Sequence, residues 1–168
     1  MHEEVRLELK NWYIDNEEII NNSKVADIGS NNINGSVRDI IKHVVGFDIV
    51  TNDSVDVTIV PGKIPEEHKG IYGVVTSVSS FQFCPDSILY KQQIIDLLCP
   101  GGLLFLTMCT TKCTGNHNSS DNDYGYGDGV RYSIEELSEL FTPEFEIISI
   151  YETEIDHHPD LILKARKK

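Results

Sequence analysis

Residues 25–37 read VADIGSNNINGSV. A short apolar strand carrying one acid, Asp27, runs straight into glycine, serine and asparagine. Gly29 permits a tight turn and a close backbone approach. Asn31, Asn32 and Asn34 tolerate unusual backbone angles and offer side-chain amides. Two readings stand at this point. One is a strand-to-helix turn that only packs. The other is a turn that receives a small polar ligand, with Asp27 taking a hydrogen bond from an ammonium or from turn amides. In the second, the N–H groups of a helix expected over NGSVRDIIKH hold a negative group such as a carboxylate.

Working outward, residues 1–22 read as a leading helix, with Val5, Leu9, Trp12, Tyr13, Ile19 and Ile20 at helical spacing. VVGFDIV and VDVTIV follow the opening stretch as second and third strands, IPEEHKG as a loop or short helical turn, and IYGVVTSV as a fourth strand. DSILYKQQIIDLLCPGG reads as a helix with Ile88, Leu89, Ile94, Ile95, Leu97 and Leu98 on its apolar face, stopped by Pro-Gly-Gly. LLFLTMC is apolar throughout, as a strand covered on both faces must be. SIEELSELF is a helix with the capping-box pattern Ser133/Glu136. EFEIISIYETE and DLILKARKK close the chain as a strand pair. Strands alternating with helices predict an α/β fold, a mostly parallel sheet with helices on both faces and an antiparallel edge.

The chain has 168 residues, 40% of them hydrophobic, which fits one domain over 1–168 with a real core. It also suits being one domain of a larger polypeptide. No apolar run approaches the roughly 20 residues that span a membrane, and the charged N-terminus is not a signal peptide. The expectation is a cytoplasmic protein with no membrane insertion. A net charge of −13, from 27 acidic and 14 basic residues, repels phosphate backbones and excludes free nucleic acid as a partner. The terminal KARKK reads as a solvated strand end. Cys84, Cys99, Cys109 and Cys113 fit no zinc spacing and read as thiols of a reducing compartment.

In open parallel sheets, ligands collect beyond the carboxyl ends of the strands. Asp48 ends the second strand about 20 positions past the glycine turn, where a ribose diol would find a bidentate acceptor. TSVSSFQF, residues 76–83, offers hydroxyls and an amide beside aromatic rings and suits a pocket wall. Residues 109–131 form a long polar loop on the substrate side, carrying His117, Asp121, Asp123, Tyr124, Tyr126, Asp128 and Arg131; such a loop can close over a pocket.

In this order, VADIGS, VVGFDI, YGVVTSVSSFQFCPD, LLCPGGLLFLT and the closing strand pair resemble the class I S-adenosylmethionine-dependent methyltransferases. The resemblance covers about Lys24 to Lys168. The GS…NGSVR form with VGFDIV…VDVTIV is similar to small members that modify sugars and cell-surface glycans. The resemblance implies a Rossmann-like seven-stranded sheet in the order 3-2-1-4-5-7-6, with strand 7 antiparallel. It implies S-adenosyl-L-methionine as cofactor. Asp27, Gly29 and Ser30 would lie along its methionine end, with Asn31, where many members have a further glycine, also at the cofactor, Asp48 at the ribose, Ile49 against adenine and Ser77 near the sulfonium. The position of the acid that often reads the adenine amino group is Val60 here, so that contact would come from backbone. Where many relatives have Glu-His after the fourth strand, this chain has Gln82 and Phe83.

The implied function is methyl transfer to a sugar hydroxyl of a glycan or small molecule. Such a hydroxyl needs a general base. His117 is the first candidate, with Asp121 and His157 behind it; Asp123 and His158 are further candidates. DHHPD, residues 156–160, is read as a polar hairpin before a divalent-metal site, and no metal ligand is assigned. Two alternatives remain: a nicotinamide-dependent oxidoreductase, although DIGSNNINGS lacks the close three-glycine spacing, and a non-catalytic cofactor-binding subunit.

Overall fold

The structure is a computed structural model; it describes residues 1–33, 35–84, 86–112, 130–153 and 159–168. The elements are α1 (Glu3–Asp15), α2 (Glu17–Asn21), β1 (Val25–Ile28), β2 (Val44–Asp48), β3 (Val57–Thr58), β4 (Tyr72–Val78), α3 (Ser87–Leu97), β5 (Leu98–Cys109), α4 (Ile134–Phe141), β6 (Phe145–Glu152) and β7 (Asp160–Lys167). The seven strands form one sheet in the order β3-β2-β1-β4-β5-β7-β6. The β1–β2, β1–β4, β2–β3 and β4–β5 pairs are parallel, and β7 runs antiparallel to both β5 and β6. This is the sheet expected from the sequence.

Alternation along the strands divides the core into two layers. Val25, Val74, Leu103 and Phe105 join Val5, Leu9 and Trp12 of α1 on one face. Ala26, Val75, Leu104 and Leu106 join Ile94 and Leu97 of α3 and Leu137 and Phe141 of α4 on the other. Trp12 stacks at a tilt on Phe105, ring centroids 5.1 Å apart. Truncating a fully buried side chain of this kind, such as Leu9, costs about 2–5 kcal/mol. Polar contacts also fasten α1: Lys164 Nζ donates to Glu8 (3.1 Å) and to the Tyr151 hydroxyl (2.9 Å), and that hydroxyl donates to Glu8.

Four local expectations are corrected. The leading helix breaks at Asn16 into α1 and α2. NGSVRDIIKH forms only a 3₁₀ turn, Val37–Asp39, capped by Ser36. The chain passes Gly35 with φ +107 and, after the turn, reaches β2 at Val44. Pro100-Gly101-Gly102 does not stop α3, which ends at Leu97; it lies within β5, beside a register shift between Tyr72 and Val74. The buried face of α3 is Tyr90, Lys91, Gln93, Ile94 and Leu97, while Ile88 and Leu89 are exposed. The Ser133/Glu136 capping box is present at α4. Among the described residues, no helix is long and apolar enough to cross a membrane.

Candidate functional site

A cavity of about 720 Å³ opens beyond the carboxyl ends of β1, β2 and β4. Its first wall is the chain from Asp27 to Asn31. The amides of Gly29 and Ser30 both donate to Phe47 O, at 2.8 and 3.1 Å, so the turn is stitched to β2. Gly29 has φ +81, and a β-carbon there would lie 2.2 Å from Ser80 Cβ. Only glycine satisfies both the backbone angle and the contact. Ser30 tucks against Gly46 of β2, where a β-carbon would meet its Oγ at 2.6 Å. Ser30 lines the cavity, and its buried Oγ has no hydrogen-bond partner among the described residues. A buried hydroxyl left unpaired is costly unless a ligand or water completes it.

Two carboxylates stand on the same wall. Asp27 is 5% exposed and accepts a 2.7 Å hydrogen bond from Thr76 Oγ1. Burial pushes its carboxyl up to about 7; the Thr76 hydrogen bond opposes this, the Asp48 charge adds to it, and Arg38 opposes it. Asp48 Oδ2 accepts from the Asn31 amide at 3.0 Å. Its Oδ1 accepts from the amides of Ile49 (2.7 Å) and Val50 (3.2 Å). Asp48 thereby fixes the end of the glycine turn as well as the end of its own strand.

The wall after β4 is a knot of hydroxyls. Tyr90 Oη and Ser80 Oγ both donate to Ile28 O, at 3.0 and 3.1 Å, and lie 2.7 Å from each other. Ser77 sits behind them, fully buried, 3.0 Å from Ser80 Oγ and 3.1 Å from Tyr90 Oη. Ser77 is therefore not among the lining residues; Ser79, with φ +53, and Ser80 are. The Val60 side chain is 62% exposed and outside the lining, while its neighbours Ile59 and Pro61 face the cavity; the contact expected at Val60 is one of backbone. Gln82 is buried, and its amide clasps the end of β5, accepting from Cys109 N (3.2 Å) and donating to Cys109 Sγ (3.4 Å).

Of the sequence-based site residues, the structure brings Asp27, Gly29, Ser30, Asn31, Asp48 and Ile49 to one cavity. His117, Asp121 and His157 lie outside the described residues, as do Asn34, Asp123, Tyr124, Tyr126, Asp128 and His158. Sequence reading missed Tyr90, Gln93 and Asp160, all of which line the cavity. Tyr90 and Gln93 stand three residues apart on a helix, a spacing that puts them on one face. Asp160, opposite Cys109 in the β5–β7 register, stands out in the sequence only as the last residue of DHHPD. Among the described residues, no cluster of three or more metal-ligating side chains occurs.

No protein-family model matches the sequence, and no curated protein does. Solved structures do. The 1,6-didemethyltoxoflavin-N1-methyltransferase of Burkholderia thailandensis, solved with its substrate and S-adenosylhomocysteine, superposes with a TM-score of 0.71 at 15% identity, over 95% of this chain and 76% of that one. The fold is that of the class I methyltransferases. A SAM-dependent methyltransferase from Thermotoga maritima gives a TM-score of 0.64 at 14% identity, over 98% and 99% of the two chains. An S-adenosylmethionine-dependent methyltransferase from Mesorhizobium loti gives 0.61 at 14% identity, over 86% and 91%. The methyltransferase fold thus holds across almost the whole chain at identities that establish fold alone.

Proposed function

We propose that this chain is an S-adenosylmethionine-dependent methyltransferase, one catalytic domain over 1–168. The observation that carries the reading is the Gly29 turn joined, on one cavity wall, to the buried carboxylates of Asp27 and Asp48. A sulfonium nucleoside brings positive charge and a ribose diol; the wall offers negative charge and hydrogen-bond acceptors. Among the described lining residues none is lysine or arginine, which favours this cofactor over a pyrophosphate-bearing dinucleotide. The cavity volume lies within the usual range of small-molecule sites.

S-adenosylmethionine, when bound, supplies a methyl group on a sulfonium whose departure leaves a neutral thioether. The residues of the chain hold and orient. Asp48 takes the ribose hydroxyls on lone pairs its backbone amides leave free, and Ile49, Ile59 and Pro61 offer apolar surface to the base. Asp27 faces the positive end, and the Gly29–Ser30 turn admits the ligand close to the backbone, with Ser30 Oγ as a waiting partner. In-line transfer then requires that the acceptor atom be held against the methyl carbon.

For the acceptor, the resemblance in sequence supports a sugar hydroxyl on a glycan or small molecule, with His117, Asp121 or His157 removing its proton. The Burkholderia structure is named for methylation at a ring nitrogen, so nitrogen heterocycles belong in the same acceptor panel. The test is methyl release from labelled S-adenosylmethionine across sugars, phenols, amines and heterocycles. Turnover with any acceptor supports the reading. Cofactor binding without turnover across the panel returns the chain to the cofactor-binding subunit. His117→Ala is expected to lower turnover while leaving cofactor affinity unchanged.

A further inference from the structure

Gln93 of α3 is 3% exposed and belongs to the cavity lining, and its buried Nε2 has no hydrogen-bond partner among the described residues. Burying a polar group without a partner opposes folding, and nothing in the apolar packing of α3 asks for glutamine at this position. The arrangement makes sense if a ligand completes it.

Its place in the fold says which part of a ligand it meets. Gln93 lies one turn beyond Leu89 and Tyr90 on the same helix face. Leu89 abuts the turn that leaves β3: a β-carbon at Gly62 would lie 3.4 Å from both Leu89 methyl carbons. From that turn Ile59 and Pro61 face the cavity, and Ile49 joins them from the end of β2. Ile49, Ile59, Pro61 and Leu89 thus give the lining an apolar stretch that suits a flat ring, with Gln93 the amide that α3 adds to the lining. An amide presents a donor and an acceptor side by side. That pair matches adenine, whose ring nitrogens accept next to an exocyclic amine that donates. The side chain of Val60, a position put forward for a backbone contact at this end of the ligand, is exposed and outside the lining.

We propose that Gln93 reads the base of the bound nucleoside, its Nε2–H donating to a ring nitrogen of adenine and its amide oxygen accepting from the adjacent exocyclic amine. The assignment rests on the reading of the cavity as a nucleoside-cofactor site. Gln93 is a specificity residue and takes no part in the methyl transfer itself.

The experiment is calorimetric titration of wild type, Gln93→Leu and Gln93→Met with two compounds: S-adenosylhomocysteine, and its analogue with purine in place of adenine, which lacks only the exocyclic amine. Wild type is expected to prefer the adenine compound by roughly 5- to 50-fold, the value of one buried hydrogen bond together with the amide oxygen left unpaired without it. Both variants should bind S-adenosylhomocysteine more weakly by a similar factor and show no more than about a twofold preference. Their ligand-free melting temperatures should equal or exceed that of wild type, because an unpaired buried amide has been removed. Variants that retain the wild-type preference, or bind S-adenosylhomocysteine as tightly as wild type, overturn the Gln93 assignment alone. A wild type that binds neither compound overturns the cofactor reading and this assignment with it.

Discussion

Thr76 and Asp27 are Cα partners across β4 and β1, and the Thr76 hydroxyl donates a 2.7 Å hydrogen bond to the Asp27 carboxylate. That bond is set at the mouth of a cavity, beside a second carboxylate, in a chain whose net charge is already −13. Burial prevails over the hydrogen bond, and the Asp27 carboxyl is pushed from 3.8 up to about 7.

Stability should therefore depend on pH in a defined direction. Between 3.8 and about 7 the folded protein keeps a proton on Asp27 that the unfolded chain has lost. The folded state binds more protons in this window, so stability falls as pH rises through it and levels above about 7. Over the full window the contribution is on the order of 4 kcal/mol. Urea unfolding of wild type and Asp27→Asn from mildly acid to mildly alkaline pH measures it; the variant should lose this component of the slope. A cationic ligand selects the ionised carboxylate, so affinity for it should climb over the same window.

Asp48 has two tasks, and its variants separate them. Asp48→Ala strips the acceptor from the amides of Asn31, Ile49 and Val50. Loss of more than tenfold in affinity for S-adenosylhomocysteine is expected, with about 1–3 kcal/mol of stability. Asp48→Asn retains an acceptor oxygen and should lose less stability than Asp48→Ala. Calorimetry and urea unfolding on both variants give the two readouts.

Gly29→Ala should be among the most damaging single-methyl changes in the chain. It places a β-carbon at φ +81 and 2.2 Å from Ser80 Cβ. The backbone cost is about 1–2 kcal/mol, and overpacking adds about 1–3 kcal/mol. Because Ser80 and Tyr90 both hold Ile28 O, the strain falls on the strand end that presents Asp27. Denaturant unfolding and nucleoside titration should both be affected.

Ser133→Ala removes the cap of α4, whose Oγ accepts from Glu136 N while Glu136 Oε2 accepts from Ser133 N. A loss of about 1 kcal/mol is expected, read as a lower midpoint of urea unfolding. The variant should bind S-adenosylhomocysteine as wild type does, since α4 lines no part of the cavity.

The sheet was legible because its strands are short apolar runs between polar stretches, and their order followed from the motifs. VADI is buried at all four positions. The helices were harder. Val37, Ile40 and Ile41 have helical spacing, but the same spacing serves a short 3₁₀ turn that buries Val37 and Ile41. The face of α3 is hard to read because its buried side mixes Tyr90, Lys91 and Gln93 with Ile94 and Leu97; of the three, Tyr90 and Gln93 line the cavity. Departures of this kind from apolar patterning concentrate where a protein binds something. Ser77 and Val60 were named from family position; the side chains that reach the cavity are their neighbours Ser79, Ser80, Ile59 and Pro61.

Titration of the wild-type protein with S-adenosylhomocysteine, with Asp48→Ala in parallel, tests the central claim most directly. Saturable one-to-one binding that weakens more than tenfold in the variant is the predicted result. No saturable binding by the wild type, or a curve that Asp48→Ala leaves unchanged, would contradict it.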